Sequence, residues 1–132
     1  MRDSAQKLDA LSAGLPFLAC RGLCQASCGA IRVHEAEQAR LPRRMSYGPD
    51  LRCTFLDRDT GRCEVYTARP TLCRLFGVVR SMTCPHGCMP ERMMTDEEGR
   101  AVLQQVAVVA GPLLPLVADP DVPAWIAEAM QR

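Results

Sequence analysis

The chain has 132 residues, nearly half of them apolar, which suits one ordinary domain with a buried core. Its 16 basic and 15 acidic residues leave a net charge of +1, so composition points to neither nucleic acid nor an anionic membrane as a partner. No stretch approaches the roughly 20 apolar residues of a membrane span.

In chain order, the N-terminal MRDSAQKLDALSAG spreads Asp3, Lys7 and Asp9 through what would have to be apolar in a signal segment. The run Phe17-Leu18-Ala19-Cys20 superficially resembles a lipoprotein cleavage box, but Asp9, Ser12 and Pro16 interrupt the apolar stretch before it. A cytoplasmic location is the expectation. Leu8, Leu11 and Leu15 recur at helical spacing and predict a short amphipathic helix over Ser4 to Leu15. Pro16 is expected to start a second helical segment reaching about Ala30. Val33 to Leu41 is a further helix candidate, stopped by Pro42. Arg43 to Asp50 reads as a loop, with Gly48-Pro49 as breaker. The runs Leu51 to Leu56 and Arg62 to Tyr66 flank DRDTG and predict a small hairpin. Pro70 then opens a helical turn through Leu72 to Val79, and Thr83 to Pro90 reads as an irregular knuckle.

The C-terminal part is helical in pattern. Thr95 and Glu98 form a capping box before AVLQQVAVVA, which Gly111-Pro112 ends. A last helix is expected around Ala124 to Met130. This tail holds no cysteine or histidine and is expected to pack over the rest. The predicted fold class is mainly α with a small β-hairpin (α+β), a small metal-stabilised cysteine-rich domain with C-terminal helices. Residues 1–132 read as a single domain, with a cysteine-cluster core at 16–92 and a helical extension at 95–132.

Eight cysteines stand out: Cys20, Cys24, Cys28, Cys53, Cys63, Cys73, Cys84 and Cys88. Such a count implies a disulfide framework or metal sites, and a reducing compartment favours metal. Cys20, Cys24 and Cys28 sit at i, i+4 and i+8, which places them on one face of a helix. Single buried cysteines are often plain core residues. Three at strict spacing, with five more downstream, make that reading weak for the whole set. Cys53, Cys63 and Cys73 follow at intervals of ten, so a shared ion would cross-link distant segments. Cys84 and Cys88 flank Pro85-His86-Gly87, within the spacing range of zinc ligand pairs. All eight are therefore candidate ligands.

All-sulfur ligation suits zinc, an iron–sulfur cluster or Cu(I). The chain has no C-x-x-C pair, so neither zinc ribbons nor bacterial ferredoxins are matched. Zinc is slightly preferred over an iron–sulfur cluster. Cu(I) ranks third, on the soft donors Met82, Met89, Met93 and Met94. His86 reads equally as an extra ligand or as a loop histidine. His34 reads as a solvated helix residue, and Glu35 as a hydrogen-bond acceptor behind the ligands or, as the lesser alternative, an oxygen ligand. Arg69 and Arg74 flank Cys73 and can offset thiolate charge or form ordinary surface ion pairs. Arg40, Arg43 and Arg44 read as a solvated basic patch.

The stretch CTFLDRDTGRCEVYTARPTLCRLFG resembles the signature of the YkgJ-like cysteine-cluster family. That family has an N-terminal run of close cysteines, then C-x-F-L, then C-x-I/V-Y-x-x-R-P-x-x-C-R. The matching pieces are Cys20/Cys24/Cys28, then Cys53 to Leu56, then Cys63, Tyr66, Arg69, Pro70, Cys73 and Arg74. The resemblance covers about residues 20 to 90 and implies zinc or iron chelation by the cysteines. It also favours a place for Arg69 and Arg74 beside the thiolates. Many members end the first cluster in adjacent cysteines, whereas Gly29 follows Cys28 here. A related domain occurs in longer flagellin lysine methylases, whose activity is not carried over to this chain. The expected function is metal binding with a structural, metal-handling or sensing role. The alternative is iron–sulfur electron transfer or an accessory part of an oxidoreductase. No catalytic residue is identified.

Overall fold

Helix α1, Arg2–Ala13, opens the chain and turns Leu8 inward, where it is 1% exposed. The computed structural model describes residues 2–18 and 28–131. Leu8 joins Ala36, Val106 and Ala110 in an aliphatic core, with Leu11 and Val109 against it. Val106 lies in helix α4, Asp96–Val109, whose start is the predicted capping box. The Thr95 hydroxyl accepts from the Glu98 amide at 3.1 Å, and the Glu98 carboxylate accepts from the Thr95 amide at 3.1 Å. Gly111, with φ +81°, provides the left-handed residue that lets the chain leave α4.

Helix α2 is only four residues, Glu35–Gln38. The amides of Glu35 and Ala36, which a helix cannot satisfy internally, donate to the carbonyls of Pro112 and Ala110 at 2.9 and 2.8 Å. The predicted helix over Val33 to Leu41 is shortened for this reason. Val33 instead enters the core as extended chain, and its carbonyl accepts from Leu114 at 2.8 Å.

Helix α3, Thr71–Leu75, begins after Pro70 as expected. It delivers Leu75 to a second aliphatic cluster with Val78, Val79 and Met94, against Val102 and Leu103 of α4. Gly99 permits that approach: a Cβ there would lie 3.1 Å from a Val79 methyl. The last helix, α5, spans Ala124–Met130 as predicted.

The fold is α+β, as the sequence predicts, but its sheet is not the predicted one. Strand β1, Ser46–Tyr47, lies in the segment read as a loop and pairs in parallel with β2, Val117–Ala118, of the tail. The expected hairpin is present in minimal form, with the Asp57 and Glu64 amides donating to the Arg62 and Phe55 carbonyls, each at 2.8 Å. One antiparallel bridge joins Leu56 to Cys63, and Gly61 takes φ +73°. Tyr47 also bridges Cys53, and Gly29 bridges Arg52, so four short extended pieces lie side by side. The predicted helix from Pro16 to Ala30 falls mostly outside the described residues. Its described ends, 16–18 and 28–30, are not helical: Leu18 bridges Pro90 and Gly29 bridges Arg52. No helix among the described residues is long and apolar enough to cross a membrane.

Candidate metal centre

The antiparallel pairing of Gly29 with Arg52 sets Cys28 opposite Cys53. Their thiols are hydrogen-bonded to each other. Cys63 arrives from beyond the DRDTG turn, through its bridge to Leu56. Cys73 comes from the middle of α3. Four segments far apart in sequence thus bring four thiols within electrostatic reach of one another. The setting is largely dry. Cys53 is buried with Val33, Leu41, Met45, Phe55 and Val65, and Cys28 and Cys63 pack against that cluster.

The thiols feel this crowding. The hydrogen bond from Cys28 lowers Cys53 to about 7, against the opposing effect of burial and with help from the Phe55 amide, Arg43 and Arg58. The same bond pushes the Cys28 thiol strongly upward, together with burial and the charges of Cys53, Cys63 and Cys73. Burial raises Cys63. Burial, then the charges of Cys53, Cys63 and Glu37, pushes Cys73 up to about 12 although Arg69 opposes it. The charge of Cys53 thus opposes ionisation of Cys28, Cys63 and Cys73, and a cation bound among them would offset that opposition. The chemistry of this donor set therefore fits zinc or iron.

Several arginines border the group. Arg69 stacks over the Tyr66 ring at 3.9 Å and donates to the Tyr66 carbonyl at 3.0 Å. Arg74 donates to the carbonyls of Arg69 at 3.0 Å and Thr67 at 2.6 Å, which ties the approach to α3 together. Arg43, which the sequence presented as part of a solvated patch, stacks over Phe55 at 4.3 Å and donates to the Thr54 carbonyl at 2.8 Å. Arg43 and Arg58 act on Cys53, so the cationic border is wider than Arg69 and Arg74.

A second residue that sequence reasoning missed is Met45. Its thioether sulfur lies 3.5 Å from Cys53 Sγ, and the side chain is 4% exposed. Nothing in the spacing signals it, because it stands eight residues from its partner cysteine and outside any cysteine motif.

The remaining candidates are placed as follows. Cys20 and Cys24 lie outside the described residues. Cys88 is buried and Cys84 half-buried, in a loop where Gly87 takes φ +81°. The described chain before Cys20 reaches this loop: Leu18 bridges Pro90, and the Glu91 amide donates to the Phe17 carbonyl at 2.9 Å. His86 lies between these two cysteines and is exposed. His34 is half-buried rather than solvated, and its Nδ1 donates to the Gly111 carbonyl at 2.8 Å. Glu37, rather than Glu35, is the buried acceptor of this segment. Its carboxylate takes the amides of His34 at 3.2 Å and Thr71 at 2.8 Å, fixing α2 to the start of α3. Among the described residues, no group of three or more His, Cys, Asp or Glu is drawn together tightly enough to hold an ion. The Cys28–Cys53 pair is in contact, and Cys63 and Cys73 stand around it.

Residues 19–89 match the model of a family, CxxCxxCC, whose description reads "Putative zinc- or iron-chelating domain". No curated protein and no solved structure matches the chain.

Proposed function

The chain belongs to the CxxCxxCC family of zinc- or iron-chelating domains, and we propose that Cys28, Cys53, Cys63 and Cys73 are the thiolate ligands of one metal site. The observation that carries this reading is the approach of these four thiols, from four segments, to the pair formed by buried Cys53 and half-buried Cys28. Zinc is the metal of choice for a closed four-thiolate site, because it is redox-inert and tolerates the irregular backbone that supplies the ligands. Arg69 and Arg74 then offset thiolate charge and hold α3 in place. Cys20, Cys24, Cys84 and Cys88 supply the thiolates of a further site. The role is structural or metal-handling, in a reducing compartment such as the cytoplasm, where thiols remain available as ligands.

The test is elemental analysis and a visible spectrum on full-length protein purified without oxygen or chelators. About one or two zinc ions per chain and no colour supports the reading. Iron with acid-labile sulfide and a brown colour replaces zinc by an iron–sulfur cluster and moves the role to electron transfer. Protein without any metal overturns it. Cys63→Ser and Cys73→Ser are each expected to lower metal content and melting temperature together. Full metal and an unchanged melting temperature in both would remove these residues from the ligand set.

A further inference from the structure

One buried sulfur of the thiol-bearing core is not a cysteine. Met45 Sδ stands 3.5 Å from Cys53 Sγ, and Cys53 is in turn hydrogen-bonded to Cys28. Two sulfurs that share a tetrahedral ion at about 2.3 Å lie about 3.8 Å apart. The Met45–Cys53 separation is already near that edge length, so one ion can meet both with little rearrangement. The position is also fixed. The Met45 amide donates to the Gln38 side chain at 3.0 Å, and the next residue begins β1. Around the three sulfurs are Val33, Leu41, Phe55 and Val65, which supply no competing oxygen or nitrogen donor.

Resting on the reading of Cys53 and Cys28 as ligands, we propose that Met45 is a sulfur donor of this site, and that Cys28, Cys53 and Met45 together accept a soft monovalent cation of the Cu(I) class. A thioether is a neutral, soft donor that adds little to a Zn(II) site but suits Cu(I). Charge points the same way. A monovalent ion held by two thiolates and a thioether is singly negative, whereas a divalent ion with four thiolates is doubly negative. Burying the smaller charge in an apolar core costs less. Arg43 and Arg58, both acting on Cys53, lie on hand to balance it.

Met45→Leu separates a donor from a space-filler, because the swap keeps volume and apolarity and removes only the sulfur. The full chain, freed of metal and kept anaerobic, competes for Cu(I) against bathocuproine disulfonate and for Zn(II) against a chromophoric zinc chelator. Met45→Leu is expected to weaken Cu(I) binding by about tenfold or more and to leave Zn(II) binding unchanged. In selenomethionine-labelled protein, X-ray absorption at the selenium edge is expected to show a copper neighbour that the Leu variant lacks. Unchanged Cu(I) affinity in the variant, equal losses for both metals, or no Cu(I) binding by the parent protein would each overturn the proposal. Cys53→Ser keeps the two readings apart. If it costs both metals while Met45→Leu discriminates nothing, only the role of Met45 fails. If it costs neither, the thiolate site itself fails.

Discussion

The thiol-bearing core and the helical scaffold are held together by different physics. The scaffold packs α1, α2, α3 and α4 through Leu8, Ala36, Val106 and Ala110 on one side and Leu75, Val78, Val79 and Met94 on the other. It has a reciprocal N-cap on α4 and amide-to-carbonyl links between helix ends. The thiol-bearing core has Phe55, Val33 and Met45 but little regular structure, and in it the charge of Cys53 opposes ionisation of Cys28, Cys63 and Cys73. One region joins buried apolar area to satisfied helix ends. The other sets the charge of Cys53 against the ionisation of Cys28, Cys63 and Cys73, a conflict that the proposed cation would offset.

The largest expected effect follows from that contrast. Stripping metal with a chelator removes a binding free energy that, for structural zinc, is on the order of 10 kcal/mol. Hydrogen exchange should then show lost protection for amides between Cys53 and Cys73, while those of α4 keep theirs. Equal loss in both regions would mean that the scaffold depends on metal too, and the comparison would fail. The reverse experiment is Leu75→Ala. Leu75 is fully buried, so the cavity is expected to cost about 2–5 kcal/mol in urea denaturation. Metal content per folded chain should be unchanged, and a proportional loss of metal would show the two regions to be one cooperative unit.

How far the sequence foretold these two regions differs in the same way. The scaffold was largely legible. The Thr95–Glu98 capping box, the stop at Gly111 and the helix at Ala124 all stand where periodicity and cap chemistry put them. Those signals are local, and local physics decides them. The thiol-bearing core was legible only as a list of cysteines. Its strands are two residues long, and β1 pairs with a partner some seventy positions away, so no period-2 pattern has room to appear. Met45 and Arg43 reach Cys53 through tertiary packing that no spacing rule encodes. The hairpin is shorter than its sequence suggests, one bridge long, for a related reason. DRDTG gives a good turn, but the residues after it serve Cys63 and the short 3₁₀ turn Tyr66–Ala68 instead of a ladder.

Two smaller substitutions sharpen the boundary between the regions. Gly77 ends α3 at φ +89°, and a Cβ there would lie 2.7 Å from Leu18 Cδ2 and 3.9 Å from the Cys84 Cβ. Gly77→Ala is expected to cost about 1–2 kcal/mol through its left-handed backbone alone. The leucine methyl can shift, so the loss should not grow far beyond that. If the variant also loses metal, this turn positions the Cys84–Cys88 loop as well as closing the scaffold. Thr95→Ala removes the cap of α4 and should cost about 1 kcal/mol, with metal content intact. A circular-dichroism melt shows the first effect and elemental analysis the second.

The smallest effect is a pH dependence confined to the scaffold. The Glu98 carboxyl is held below its ordinary value, first by the Thr95 amide and then by Arg92 at 3.0 Å. A carboxyl lowered by folding contributes stability that is present above its unfolded pKa and is lost as pH falls through the folded one. Glu98→Gln keeps an acceptor for the Thr95 amide, so the capping geometry survives, and removes only the titrating charge. The parent protein should therefore lose stability more steeply than the variant between about pH 6 and pH 3, with the two curves converging at the acid end. Asp50 is lowered in the same sense by the Arg52 amide and Arg58, and it remains in both proteins, so the variant keeps a shallower acid slope. Parallel curves would show that the Glu98 charge adds nothing to the cap. They would leave α4 held at its start by hydrogen bonds alone, which is how a scaffold independent of electrostatics would behave.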